Sequence, residues 1–251
     1  MTSNLLDPTV RISGPERMGL LLVLAGIFFT TYGVIAAVQV DAELHTLETP
    51  IDRWIEFSPP WILIYGALYP IVISPLLILT HRHIAFRGAI GLAIVVGSGV
   101  PFWFLYPVSV PRPPIEIVDT WTWGILVVRH LDPPTNCFPS MHVAEAAFAS
   151  FLVWRHDRLW GGIVLTATAL IWYSSLAIGQ HWFVDGLVGI AIALAAHLLV
   201  FRGLSREDFV SRDRRWHFAW IGLYLALFVM FASPWWFGWI EPALIMAPWG
   251  S

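Results

Sequence analysis

Gln180-His181-Trp182-Phe183-Val184-Asp185 leads into Gly186-Leu187-Val188-Gly189-Ile190-Ala191-Ile192-Ala193-Leu194-Ala195-Ala196-His197-Leu198-Leu199-Val200-Phe201, a run that is apolar almost throughout. From residue 183 to 201 the segment approaches the roughly 20 residues that a helix needs to cross a bilayer. The polar word at its head places a His and an Asp four residues apart, on one helical face. A second word, Phe138-Pro139-Ser140-Met141-His142, stands at the head of another apolar run. Ionisable groups at such positions are costly and mark functional sites by default.

Similar runs recur along the chain, at about 18–40, 60–80, 88–106, 140–155, 160–179 and 218–238. Hydrophobic residues make up 57% and charged residues 12%, and there are 15 tryptophans. A soluble domain carries about 25% charge. The expected fold class is therefore all-α: a polytopic integral membrane helical bundle in one domain, residues 1–251, without internal repeat or low-complexity tract. Residues 1–17 are polar and no small-residue cleavage site follows the first run, so that run reads as a retained helix. The single Cys137 excludes an intrachain disulfide and a multi-cysteine metal site, and it reads as a small hydrophobe. A net charge of -3 says nothing about partners, and nucleic acid is not expected among them.

The chain has no lysine. Arg11, Arg17, Arg82, Arg87, Arg155, Arg158, Arg202, Arg206, Arg212, Arg214 and Arg215 fall in alternate loops, and only Arg53, Arg112 and Arg129 in the others, beside Asp41, Glu43, Glu48, Asp52 and Glu56. By the positive-inside rule the arginine-rich loops are cytoplasmic. The N-terminus is then inside, and both polar words lie on the outer (periplasmic or luminal) face. Tryptophans such as Trp54, Trp61, Trp154, Trp160, Trp216, Trp220, Trp235, Trp236 and Trp239 sit where an aromatic belt would.

Three outer stretches carry the polar chemistry. Residues 50–56 read as an amphipathic turn with a packing role. In Tyr106-Pro107-Val108-Ser109-Val110-Pro111-Arg112-Pro113-Pro114 the prolines block helix and hold Arg112 on a stiff extended segment. Its guanidinium can grip phosphate through a planar fork or snorkel toward headgroups. An amphipathic interfacial helix follows at about 118–131 and carries Arg129. In the third stretch Ser140 caps the next helix, whose N-terminus offers an anion free N–H groups and a positive dipole end. From Ser140 to Trp154 that helix spans only roughly 22 Å against a core of about 30 Å, so it starts below the outer surface.

Arg112-Pro113, then Pro139-Ser140-Met141-His142, then His181-x-x-x-Asp185, in that order over about 100–190, resemble the type-2 phosphatidic acid phosphatase superfamily. The wording Asn136-Cys137-Phe138-Pro139-Ser140-Met141-His142-Val143 is most similar to the branch containing inositol phosphorylceramide synthases. The resemblance implies a six-helix phosphatase-like core, about 60–201, plus one extra C-terminal helix. It implies a lipid phosphatase or phosphotransferase in which His181 attacks phosphorus to form a phosphohistidine. Asp185 would then orient His181, and His142 would protonate the leaving alkoxide and deprotonate the incoming water or polyol. Arg112, Ser140, Asn136, Gln180 and Ser174 are the phosphate-binding residues expected beside them, in a membrane lipid phosphate site that needs no cofactor and no metal.

His142 and His181 could otherwise bind haem or a metal, but no obvious third ligand accompanies them. Glu145 lies three residues after His142 on the same face, to tune it or to pack. A non-enzymatic alternative is a small transporter, which would need polar residues midway along several helices, where they are sparse. Two cations of the phosphatase pattern are missing: Leu105 stands where it has Lys, and Ser174-Ser175 where it has Ser-Arg. Arg129 or Gln180 are the residues that could compensate.

Overall fold

The computed structural model describes residues 7, 10–38, 43–132, 134–209, 219–240 and 243–245. Asp41, Arg212, Arg214, Arg215 and Trp216, the end of the first apolar run (39–40) and the start of the last (218) lie outside them.

Helix α1 (Gly14–Val38) starts where Ser13 and Glu16 cap each other: the Ser13 N–H donates to Glu16 Oε2 (2.8 Å) and the Glu16 N–H to Ser13 Oγ (3.4 Å). The run expected at 60–80 is broken into a 3-10 turn (Pro59–Trp61), α2 (Ile62–Gly66) and α3 (Leu68–Ile78). The break has a local cause, because Pro70 has no N–H to give and its ring would collide with the Gly66 carbonyl in a continuous helix.

Helix α4 (Arg82–Leu105) begins six residues before the apolar run expected at 88–106. Its charged first turns are matched by neighbours: Arg82 pairs with Glu16 at 2.7 Å, and Arg87 donates to the Val200 carbonyl at 3.3 Å. A helix is present where one was expected at about 118–131, as α5 (Thr120–Leu131), capped by Asp119, whose Oδ1 accepts from the Thr122 N–H at 2.8 Å.

Helices α6 (Met141–His156) and α7 (Arg158–Ala177) are joined through Asp157 alone. Its carboxylate accepts from the N–H groups of Leu159 (2.9 Å) and Trp160 (3.1 Å), so one residue ends one helix and caps the next. Helix α8 (Phe183–Val200) follows a short turn, and α9 (Ala219–Trp236) packs on α3 and α5.

The fold is mostly helical, as expected; among the described residues the strands are the short β1 (Ile115–Ile117), which pairs antiparallel with β2 (Ala243–Ile245). Pro113-Pro114 rules out helix just before β1, and Ile115 and Ile117 alternate inward around exposed Glu116. The residues of 50–56 include a 3-10 turn, Asp52–Trp54, as expected of that stretch.

Among the described residues five stretches are long and apolar enough to cross a membrane: Gly14–Ile35, Pro59–Ile78, Arg82–Leu105, Arg158–Ala177 and Phe183–Val200. They suggest a multi-pass membrane protein. Helix α6, at 16 residues, is shorter, as its sequence length predicts, and α9 offers the shorter apolar stretch Ile221–Trp236.

Helix α6 is the centre of the bundle, packed against α3, α4, α7 and α8 and buried along nearly its whole length. Small residues make that possible. A Cβ on Gly161 would lie 2.2 Å from Trp154 Cα, and one on Gly189 would lie 2.5 Å from the Ser140 carbonyl oxygen. Inside, the hydroxyls of Ser150 (α6) and Thr168 (α7) share a hydrogen bond of 2.8 Å. At the end of the bundle where α6 and α8 start, the loops are tied together. His45 and Asn136 both bridge to Val108, and Val108, Val110 and Cys137 form a small apolar cluster with Leu47, Phe138 and Trp182.

Candidate active site

The site is built where three helix ends meet: the start of α6, the end of α7 and the start of α8. Helix α7 stops at Ala177, and Gly179 takes φ of +68°, the left-handed conformation that suits glycine after a helix C-terminus. The chain then doubles back, and the Ser175 carbonyl accepts from both the Gln180 N–H (2.8 Å) and the His181 N–H (3.3 Å). That turn aims Gln180 and His181 inward, where they are 0% and 4% exposed.

Helix α8 begins with its first N–H groups taken by carboxylates. Asp185 Oδ2 accepts from the Trp182 N–H at 2.8 Å, and Asp52 Oδ1 from the Phe183 N–H at 2.7 Å. The Asp185 carbonyl also accepts from the Ser140 N–H at 3.0 Å, which locks the start of α6 to the start of α8. Ser140 caps α6 as expected, its Oγ accepting from the Val143 N–H at 3.3 Å.

His181 Nδ1 lies 2.9 Å from the Cys137 carbonyl oxygen and 3.4 Å from Asp185 Oδ2. Both are acceptors, so they place the proton of a neutral ring on Nδ1 and leave a lone pair on Nε2. That Nε2 is 3.1 Å from His142 Nδ1. The three residues expected to do the chemistry are thus in one hydrogen-bonded chain, Asp185 to His181 to His142, and all are buried.

Arg112 is buried beside them rather than snorkelling outward. Its Nη1 donates to the Asp132 carbonyl and its Nη2 to Gln180 Oε1, each at 2.6 Å, with the Asp132 carboxylate 3.7 Å away. Three buried donors here have no hydrogen-bond partner among the described residues: Arg112 Nε, Asn136 Nδ2 and Gln180 Nε2. Unpaired buried donors are costly, and an anion would satisfy them.

Ser174 is placed differently from expectation. It is fully buried, but its hydroxyl donates to the Ile171 carbonyl at 2.7 Å, so its proton is already used within α7. Leu105, where the phosphatase pattern has Lys, is 78% exposed, unlike the buried site residues. Arg129 is buried, donates to the Pro113 carbonyl at 2.8 Å and so steadies the segment carrying Arg112. Burial, with Arg112 alongside, pushes its guanidinium down to about 10, so it stays charged at neutral pH.

Some contributors were not readable as site residues. Asp132 partners Arg112, and its carboxylate comes within 4.8 Å of ring nitrogens of His142 and His181, the third ligand-type group that the sequence did not reveal. Arg112 already balances that carboxylate, and its positive charge opposes a divalent ion at the same place. Asp52 acts through the α8 N-terminus. Cys137 acts through its carbonyl, while its thiol, raised well above its ordinary pKa by burial, donates to the Pro134 carbonyl at 3.0 Å. Tyr65, its ring 5.5 Å from that of His142, has a buried hydroxyl without a hydrogen-bond partner among the described residues. Only the acidic residue types gave any signal in the sequence; a backbone carbonyl gives none.

Residues 84–208 match the model of the PAP2 superfamily, a stretch that runs from α4 through α8 and contains Arg112, His142, His181 and Asp185. No curated protein and no solved structure gave a match.

Proposed function

We propose that this protein is a membrane lipid phosphatase or phosphotransferase that works through a phosphohistidine on His181. The single observation that carries this reading is the chain of contacts from Asp185 through His181 to His142, whose last link is 3.1 Å long. The match to the PAP2 superfamily supports the lipid phosphatase or phosphotransferase class.

A substrate phosphoryl group would displace the contact between the two imidazoles. His181 Nε2 would attack phosphorus, and the bond from phosphorus to the lipid oxygen would break as His142 gives that oxygen a proton. The Cys137 carbonyl and Asp185 would hold the Nδ1 proton and stabilise the charge that develops on the ring. Arg112, Asn136 and Gln180 would meet the phosphoryl oxygens, with Ser140 and the N–H groups at the start of α6. In the second half, water or an alcohol would attack the phosphohistidine while His142 takes its proton. Water gives a phosphatase and an inositol-like polyol gives a headgroup transferase. The wording around Asn136–Val143 favours the branch that contains inositol phosphorylceramide synthases.

We place the site on the outer face, from the arginine bias of the loops at the other end. The test is phosphate release or headgroup transfer by purified protein over a panel of lipid phosphates, with His181→Ala in parallel. Radiolabelled substrate should leave an acid-labile, base-stable label on the protein but not on His181→Ala. Full turnover by the mutant sinks the mechanism, and a label discharged only by added alcohol selects the transferase.

A further inference from the structure

A cavity of about 190 Å³ lies against His142, walled by α1, α3, α4 and α6. Its lining is almost wholly apolar, with Leu24, Phe28, Val72, Leu92 and Val96 among the wall residues. An apolar cavity of about 150 Å³ already stays dry and accepts benzene, so this one suits hydrocarbon rather than water. All four walls belong to the apolar bundle.

Besides His142 and Tyr69, one wall residue departs from that lining. Glu145 is 6% exposed, faces the same cavity, and its Oε1 has no hydrogen-bond partner among the described residues. A carboxyl oxygen left unpaired in apolar surroundings is costly, and in a membrane protein such a group marks a functional position. Glu145 stands one helical turn deeper than His142 on the same face of α6. Three residues at about 1.5 Å each put it about 4.5 Å below the histidine, the reach of roughly three or four bonds of about 1.5 Å.

We propose that this cavity takes the hydrocarbon chain of the lipid substrate and that Glu145 accepts a hydrogen bond from a hydroxyl or amide N–H on that lipid's backbone, a few bonds from the phosphate. This rests on the lipid-phosphate reading above and narrows its substrate class. The favoured lipids carry a free donor next to the phosphate-bearing carbon, and a fully esterified diacylglycerol phosphate does not. A site built around a buried polar group discriminates strongly against the analogue that leaves it unpaired.

Binding is measured on the full chain carrying His181→Ala, in nanodiscs, by native mass spectrometry against three probes. These are a 1-acylglycerol 3-phosphate (hydroxyl), an N-acyl amino-alcohol phosphate (amide N–H) and a diacylglycerol phosphate (neither). The first or second should bind at least ten-fold more tightly than the third, and which one does identifies the donor. Glu145→Leu should abolish that preference while Glu145→Gln, which keeps an acceptor oxygen, retains most of it. Ala93→Phe, which fills the cavity from α4, should weaken binding of long-chain probes more than that of short-chain ones.

Equal binding of the three probes by protein with Glu145 intact overturns the proposal, even if Glu145→Leu does not fold. A preference that survives Glu145→Leu overturns it as well. Turnover by the wild-type chain is read separately: selective binding without turnover would count against the enzyme alone, and unselective turnover against Glu145 alone.

Discussion

At the scale of single residues, His181 depends on two acceptors that hold its Nδ1 proton, and the closer of them is a backbone carbonyl. In the proposed mechanism, replacing Asp185 by Asn removes the charge that would steady a developing imidazolium but leaves the Cys137 carbonyl in place. Asp185→Asn is therefore expected to lower kcat by about 10²–10⁴-fold with little change in KM, measured by steady-state kinetics. Arg112 uses both arms of its fork at once, on Asp132 and on Gln180. A lysine ammonium cannot span those two partners, so Arg112→Lys should cost at least about ten-fold in kcat/KM. Cys137 gives the opposite expectation. Its thiol is buried and its pKa raised, so it should alkylate slowly at pH 7–8, and Cys137→Ala should keep activity within about two-fold, because the carbonyl that meets His181 remains. That His181, Asp185, His142 and Arg112 come together at one end of the bundle was legible in their residue types and spacing. The Cys137 carbonyl and the used-up hydroxyl of Ser174 were not, because backbone geometry decides them.

At the scale of elements, apolar runs located the helices well, since burial or lipid contact must continue for a whole crossing. What they missed has physical causes. Helix α4 starts at Arg82 because charged first turns find partners in Glu16 and the Val200 carbonyl, which hydropathy does not register. The break at Ala67 follows from Pro70, a signal present in the sequence but hidden inside a uniformly apolar stretch. Strand β1 needs a partner more than 120 residues away, and no local pattern specifies that pairing. Two glycines govern how the elements deliver the site. At Gly179 an alanine would have to hold φ of +68°, costing about 1 kcal/mol and loosening the turn that aims His181. At Gly189 a Cβ would meet the Ser140 carbonyl oxygen at 2.5 Å, so α6 and α8 must move apart just where Ser140 N–H and the Asp185 carbonyl join them. Gly189→Val is expected to destabilise the fold by about 1–3 kcal/mol and to lower activity beyond what the lost folded fraction explains. Thermal unfolding and kcat measured on the same preparation check this.

At the scale of the molecule, the polar chemistry and the arginine-rich loops occupy opposite ends. Helix α8 leads from the His181–Asp185 end to Val200, whose carbonyl takes Arg87, and α6 from its Ser140 cap to a last turn holding Arg155, which donates to the Phe201 and Leu204 carbonyls. Arg17 donates to the Leu76 carbonyl at the close of α3, and Arg11 bridges to His81, so the start of α1 joins the same end. Alternation of arginines along the sequence made this polarity legible before any packing was known, since successive crossings must return the chain to the same side. For the compartment that each end faces, the positive-inside rule carries our proposal of a cytoplasmic arginine-rich end and an outward-facing site. A chain in which Cys137 is replaced by Ala allows single cysteines to report it. Trp54, 80% exposed and next to the site end, and Glu207, exposed beyond α8 at the other end, are suitable positions. With intact cells and a membrane-impermeant thiol reagent, Trp54→Cys should label and Glu207→Cys should label only after permeabilisation. The reverse pattern would place the imidazole pair on the cytoplasmic side, where it could not serve lipids of the outer leaflet.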